Sequence, residues 1–277
     1  MKQSAPLIIV RGAGDLASGV LAAIHISGFR VLALEADNPS AIRRTVAFSE
    51  AVRLGCCTVE GIEARLIAKE QAAAVISADS SGTDFIPIVV DPVGELISAL
   101  HPVAVVDAII AKKNCGTYLD MAPLVIALGP GFIAGKDAHI VIETMRGHNL
   151  ARLIYQGSAL PNTGTPGLVG GESALRVIHA PAAGTLRVVH DIGSSVTRGE
   201  IIARVIHADG CVTDVAASIN GIIRGMLPDG FVVRSGLKMA DIDPRLTELH
   251  NCFTISDKAR ALGGAVLTAL LSRGITP

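Results

Sequence analysis

Apolar and polar positions fall in blocks over the first half of the chain. Residues 7–10 are a continuous apolar run, the pattern of a parallel strand covered on both faces. Arg11-Gly12-Ala13-Gly14-Asp15-Leu16-Ala17-Ser18-Gly19 follows, then a helical pattern through Val20, Leu21, Ile24 and Ile26 as far as Gly28. Residues 29–36 read as a second strand, closed by Asp37-Asn38-Pro39. Strands over 86–90, 103–106 and 124–128 end in Asp91-Pro92, Asp107 and Gly129-Pro130-Gly131 respectively. Residues 69–78 and 94–100 read as helices, and 51–66 as short strands or a hairpin around Glu60-Gly61. The series predicts an α/β fold, a Rossmann-like parallel sheet domain over residues 1–172 with its ligand at the carboxyl ends of the strands.

The second half has a different rhythm. Residues 180–203 align without gaps to 217–240, an offset of 37. Ala180, Gly184, Arg187, Gly193, Val196, Gly199 and Ala203 recur as Ala217, Gly221, Arg224, Gly230, Val233, Gly236 and Ala240. Each copy is a few short strands unable to bury an apolar face alone, so two copies are expected to close into one β module over 173–246. The pattern resembles the biotinyl/lipoyl-type barrel-sandwich hybrid. In carrier domains of that type the joining hairpin bears a modified lysine; here residues 204–215, with a turn at Asp209-Gly210, contain none, and Lys238 lies at the equivalent of Ile201. That implies an accessory module and not a covalent carrier. Residues 247–277 are expected to supply a C-terminal helix, N-capped by Ser256, that packs back on the first domain. Gly263-Gly264 would allow another backbone to approach it closely.

Gly12-Ala13-Gly14-Asp15-Leu16-Ala17 is G-x-G-x-x-A between strand and helix, the pattern of a phosphate-holding turn. Gly12 permits the turn, Gly14 the approach of a phosphate, and Ala17 close packing; the helix start offers N–H groups and partial positive charge. Ser18 completes that cradle. Glu35 stands where an acidic residue meets a ribose, and Arg43 and Arg44 offer charge to a 2′-phosphate or another anion. Asp107, Lys112, Lys113, Gly129 and Gly131 gather at strand ends, and Arg146 and His148 sit in a Gly-flanked turn suited to a ligand. The competing reading makes the turn mere packing, the arginines a solvated helix start, and Asp91 and Asp107 helix caps. His139 and Glu143 share a face, as a core hydrogen bond or a metal pair lacking a third ligand; no metal is assigned. Lys258 and Arg260 are further ligand candidates. No catalytic residue is identified. Residues 161–167, with Gly170-Gly171, read as a linker or a lid.

A net charge of −1, 3% aromatics and no Trp argue against nucleic acid or a membrane surface as partner. Arg11, Asp15, His101, Pro102 and Asp107 interrupt the apolar stretches before they reach spanning length, and residues 1–11 do not read as a signal peptide. Five cysteines without CxxC spacing suit a reduced, cytoplasmic protein. Only the adjacent Cys56-Cys57 suggests sulfur or selenium chemistry.

Long motifs in one order, among them residues 11–17, 41–46, 106–114, 128–132, 142–148, 161–164 and 255–260, resemble the YqeB-type accessory proteins of selenium-dependent molybdenum hydroxylase systems. The resemblance implies maturation of such a hydroxylase, with the hydroxylase or its maturation factors as partners. A molybdopterin-type cofactor or nucleotide, a small phosphate-bearing ligand, would then occupy residues 12–18. The alternatives are an NAD(P)-dependent oxidoreductase using Asp107, Lys112 or His148 as acid–base groups, and a non-catalytic docking protein for the hydroxylase. Whether a reaction is catalysed stays open, and a homo-oligomer is compatible with all three.

Overall fold

The apolar run that opens the chain is β1 (Leu7–Arg11), buried at all five positions including Arg11. It belongs to a computed structural model that describes residues 5–78, 84–164 and 169–277. The expectations for residues 1–4, and the Thr165-Pro166-Gly167 part of the linker or lid, lie outside the described residues. The chain divides into two units: Met1–Pro39, Ala47–Thr163 and Ile255–Pro277 form one, Ser40–Val46 and Gly164–Thr254 the other.

In the first unit, β1 leads into α1 (Asp15–Ile26) and β2 (Arg30–Glu35). Then come α2 (Glu50–Leu54), the hairpin of β3 (Cys56–Val59) and β4 (Ile62–Leu66), and α3 (Ala72–Ala78). β5 (Phe85–Val90), α4 (Glu95–Leu100), β6 (Ala104–Asp107), β7 (Leu124–Leu128), β8 (Ile140–Ile142) and β9 (Leu153–Ile154) complete the sheet. α5 (Asp257–Ser272) is capped by the Ser256 hydroxyl, which accepts the Ala259 N–H. The strand order is β3-β4-β5-β2-β1-β6-β7-β8-β9.

That order corrects the expected fold class. The sheet is mixed: β3 runs antiparallel to β4 at one edge and β9 antiparallel to β8 at the other. Among the described residues, no α-helix joins β6 to β7 or β7 to β8, so the regular helix-covered crossovers of a Rossmann-like parallel domain are missing. The physical reason lies in residues 108–123, whose Pro, Gly, Asn and Asp positions favour turns over a helix.

α1 and α5 pack at their glycines. A Cβ at Gly19 would lie 2.4 Å from the Ala259 carbonyl oxygen, and one at Gly263 only 2.5 Å from that of Gly19. This contact is closed to any side chain.

The second unit holds β10 (Val177–His179), β11 (Gly184–Val188), β12 (Ser195–Val196), β13 (Ile201–Ile206), β14 (Val212–Ala216), β15 (Gly221–Met226), β16 (Val232–Val233) and β17 (Lys238–Asp243). They form two four-stranded antiparallel sheets, β10-β17-β15-β12 and β14-β13-β11-β16, which stand in place of the expected barrel-sandwich hybrid. The repeat governs them reciprocally. Gly193 N–H donates to Ile223 O and Gly230 N–H to Leu186 O; Gly199 N–H donates to Ala217 O and Gly236 N–H to Ala180 O. A Cβ at Gly184 would lie 2.3 Å from Ile206 O, and one at Gly221 lies 2.3 Å from Asp243 O. Leu186, Ile202, Val205, Ile223, Met239 and Ile242 fill the core between them.

No helix among the described residues is long and apolar enough to cross a membrane.

Candidate functional site

The polar residues of the first unit collect where β1, β2, β5 and β6 end. Arg11, the last residue of β1, is 2% exposed and lies 3.6 Å from Asp107 at the end of β6. Arg11 also donates to the Thr117 hydroxyl and to the Cys115 carbonyl. Thr117 in turn donates to Asp107 Oδ2 at 2.6 Å, and Asp107 Oδ1 accepts the Ile109 N–H. Burial pushes the Asp107 carboxyl above its usual range, against the pull of Thr117 and Arg11. The loop is pinned by Asn114, which exchanges two hydrogen bonds with Thr117. Ile110 takes φ +59° there, a costly conformation for a β-branched residue.

Beside this network, Arg11, Gly12, Leu34, Glu35, Ala36, Asp91, Pro92, Ile109 and Cys115 line a cavity of about 160 Å³. Asp91 accepts the Leu96 N–H at the start of α4 and pairs with Lys69 at 3.1 Å. Burial works to raise its carboxyl, but these hydrogen bonds prevail and hold it low. A larger depression of about 640 Å³ lies at the opposite, amino ends of the strands. Its main cation, Arg30, is engaged by the carbonyls of Ala5 and Ile76.

The Gly-rich turn is occupied by the protein itself. Glu35 Oε2 accepts the Ala13 N–H at 2.8 Å, and Oε1 accepts the Ala36 N–H at 2.8 Å. Gly12 donates to Leu34 O, and its missing side chain makes room for the Ala108 backbone, 3.0 Å from where a Cβ would stand. Ser18 is fully buried, donates to Gly14 O and accepts the Phe48 N–H. Gly14 caps α1 with no side-chain bond; Asp15 and Leu16 are half-buried, and Ala17 is buried. Burial raises the Glu35 carboxyl above its usual range although both amides oppose it. The Glu35 carboxyl thus takes an amide of the turn that was expected to serve a phosphate. The expectations of a molybdopterin-type cofactor, a nucleotide or NAD(P), and of the hydroxylase-accessory and oxidoreductase roles built on them, are corrected accordingly, and the docking role offered beside them falls with that function.

The remaining candidates are dispersed. Arg43 and Arg44 belong to the second unit, where Arg43 donates to the carbonyls of Asn251 and Thr254, and Arg44 to Met226 O and Asp191. Lys112 and Lys113 are exposed, and Gly131 backs onto Lys113, whose Cα is 2.6 Å from a would-be Cβ. Gly129 makes similar room for Thr144. Arg146 forms a two-pronged pair with Asp257, 2.7 Å at each nitrogen, while His148 is exposed. His139 and Glu143 have separate partners: His139 Nδ1 accepts the Val125 N–H, and Glu143 accepts those of Met145 and Leu160. Arg260 pairs with Glu60. Lys258 is half-buried beside Asp15, Glu143 and Arg146, and burial draws its amine below the usual range. Of the adjacent cysteines, Cys56 is exposed, while burial pushes the half-buried Cys57 thiol up to about 11. Among the described residues no group of three or more His, Cys, Asp or Glu side chains is placed to hold a metal ion.

Sequence reasoning passed over Arg11, Thr117 and Cys115. An arginine closing a buried strand was the available signal, since such a charge needs partners at the strand end.

No family model matches the chain. It is homologous to the uncharacterized protein YqeB of Escherichia coli (strain K12), 48% identical over 275 residues, 98% of this chain and 49% of the relative. The chain thus spans about half the length of that relative. Among solved structures, the product-bound ectoine utilization protein EutE (DoeB) from Ruegeria pomeroyi is 11% identical, over 86% of this chain and 85% of that one, with a TM-score of 0.28. A succinylglutamate desuccinylase/aspartoacylase from Rhodobacter sphaeroides is 13% identical, over 86% and 84%, with a TM-score of 0.27. Scores of this size give no shared site to argue from.

Proposed function

We propose that the first unit binds a small molecule, uncharged or cationic, in the cavity at the carboxyl ends of β1, β2 and β5. The observation that carries this reading is Glu35, an acid seated in the Gly-rich turn and lining the cavity. Its amide partners satisfy one lone pair on each oxygen, which leaves acceptor capacity for a ligand's N–H or O–H. Burial raises its carboxyl above the usual range, which favours a proton on Glu35 more than on an exposed glutamate. Leu34, Ala36, Pro92 and Ile109 supply an apolar surround, and the volume of about 160 Å³ is that of a cavity holding one benzene-sized molecule. Asp91, already ionised and paired, makes an anionic ligand unfavourable there. Five free cysteines support the cytoplasm as its compartment.

A ligand-observed NMR screen of compact amines, alcohols and carboxylates tests the reading on the full chain. Amines or alcohols should bind, and Ala36→Phe, which fills the cavity, should abolish their signal. Binding confined to carboxylates, or unchanged in Ala36→Phe, would reject it.

A further inference from the structure

The depression at the amino ends of the strands, within the first unit, holds a cation that meets no acid among the described residues. Gly28, at φ +87°, turns the chain after α1 so that Arg30 opens β2 beside Leu7, the first residue of β1. Arg30 is half-buried. Its Nε donates to Ala5 O and its Nη1 to Ile76 O, which occupies two of the five N–H donors of a guanidinium but offsets none of its charge. Nη2 makes no hydrogen bond among the described residues and stays open to solvent. The other arginines of this unit differ. Arg11, Arg53, Arg65, Arg146 and Arg260 each pair with a carboxylate, and Arg152 and Arg273 are exposed. Among the described arginines of the unit, Arg30 alone combines partial burial with the lack of a carboxylate partner.

The depression around it, about 640 Å³, has the size of a small-molecule site, roughly 300–1,000 Å³. Leu7, Ile76, Leu100, Val103 and Ile275 give it apolar walls. Ser77, His101 and Thr276 add polar side chains, but among the described residues no Asp, Glu, Lys or second Arg lines it. We propose that this depression binds an amphipathic monocarboxylate, its head on the free edge of the Arg30 guanidinium and its apolar body along these walls. A carboxylate accepting from Nη2 makes a charge-assisted hydrogen bond, about twice as strong as a neutral one. One guanidinium matches one negative charge. A phosphate monoester, close to doubly charged near pH 7, would bring a second charge with no fixed cation to meet it. The site shares no lining residue with the cavity beside Glu35 and does not depend on it.

Calorimetric titration of the full chain with octanoate, below its micellar concentration and at constant ionic strength, tests this. Octanol, acetate and octyl phosphate are the parallel arms. Octanoate should bind, and octanol and acetate should each bind more weakly by about tenfold or more, the first lacking the charge and the second the apolar body. Arg30→Met should weaken octanoate binding by about tenfold or more, whereas Arg152→Met, at an exposed arginine of the same unit, should leave it unchanged. Ala73→Phe, at an exposed position of α3 that lines the depression, fills it without altering Arg30 and should abolish binding. Octanoate binding no tighter than octanol overturns the site, as does binding that survives Ala73→Phe, whether or not the Arg30→Met protein folds. Equal loss in the Arg30→Met and Arg152→Met proteins overturns it too. Acetate binding as tightly as octanoate overturns the role of the apolar walls, and octyl phosphate binding more tightly overturns the assignment to a monocarboxylate.

Discussion

The two copies of the repeat exchange the same backbone hydrogen bonds, yet the arginine they share meets two fates. Arg187 in the first copy pairs with Asp229 at 2.9 Å, and both side chains are more than half exposed. Arg224 in the second sits in a bulge among Asp241, Asp243, Arg43 and Arg176. The neighbours make the difference. At the position of Asp241 the first copy has Arg204, which pairs in the open with Asp214. At the position of Gly225 it has Val188, whereas Gly225 is covered by Ile42. Glycine spacing therefore sets the shared geometry, and the covering segment decides which copy buries its charge. A repeat prescribes a framework; the chemistry belongs to what lies across it.

The comparison breaks most severely at the counter-charge. Arg176→Met leaves Asp241 buried without its cation and should cost about 3–5 kcal/mol in urea unfolding. Next comes Gly225→Val, which gives the second copy the residue of the first. Its Cβ would crowd Ile42, and a loss of about 1–3 kcal/mol is expected by the same measurement.

The pH response separates the copies more gently. Asp241 is raised by burial, so its ionisation opposes folding at neutral pH, and stability should rise as pH falls through its raised value toward 3.8. Asp229 is lowered by the Val188 amide and Arg187, so it favours folding above the ordinary aspartate range, and that contribution should fade as pH falls through its depressed value. Carboxyl NMR titration should find Asp241 above and Asp229 below the usual aspartate value, and Asp241→Asn should remove the slope above 3.8. The same order for both aspartates would deny the contrast. The smallest effect belongs to Arg187→Met: a surface pair of this kind should change stability by no more than about 0.5 kcal/mol in the same unfolding assay.

Local chemistry was legible in the chain. The Ser256 cap, the hairpin turn at Glu60-Gly61 and the glycine register of the repeat each depend on a few adjacent residues, and each stands in the structure. Pairing at a distance was not legible. Nothing near residues 56–66 announces that their hairpin closes a sheet edge antiparallel, so the sequence pattern alone points to a parallel sheet. The Gly-rich turn misled for a related reason: small residues there admit a phosphate or a neighbouring backbone equally well, and here Ala108 and Glu35 take the space. Arg43 looked like a companion of that turn because it follows β2 closely, but its partners, Asn251 and Thr254, lie more than two hundred residues away in sequence.

The central claim is that the Gly-rich turn is engaged by the protein's own carboxyl, Glu35, and not by a phosphate. Amide NMR of the labelled full chain during a phosphate titration reads the turn directly. The account predicts that the amides of Gly12, Ala13 and Gly14 stay unmoved as phosphate is added. Shifts centred on Gly12, Ala13 and Gly14 instead would contradict it.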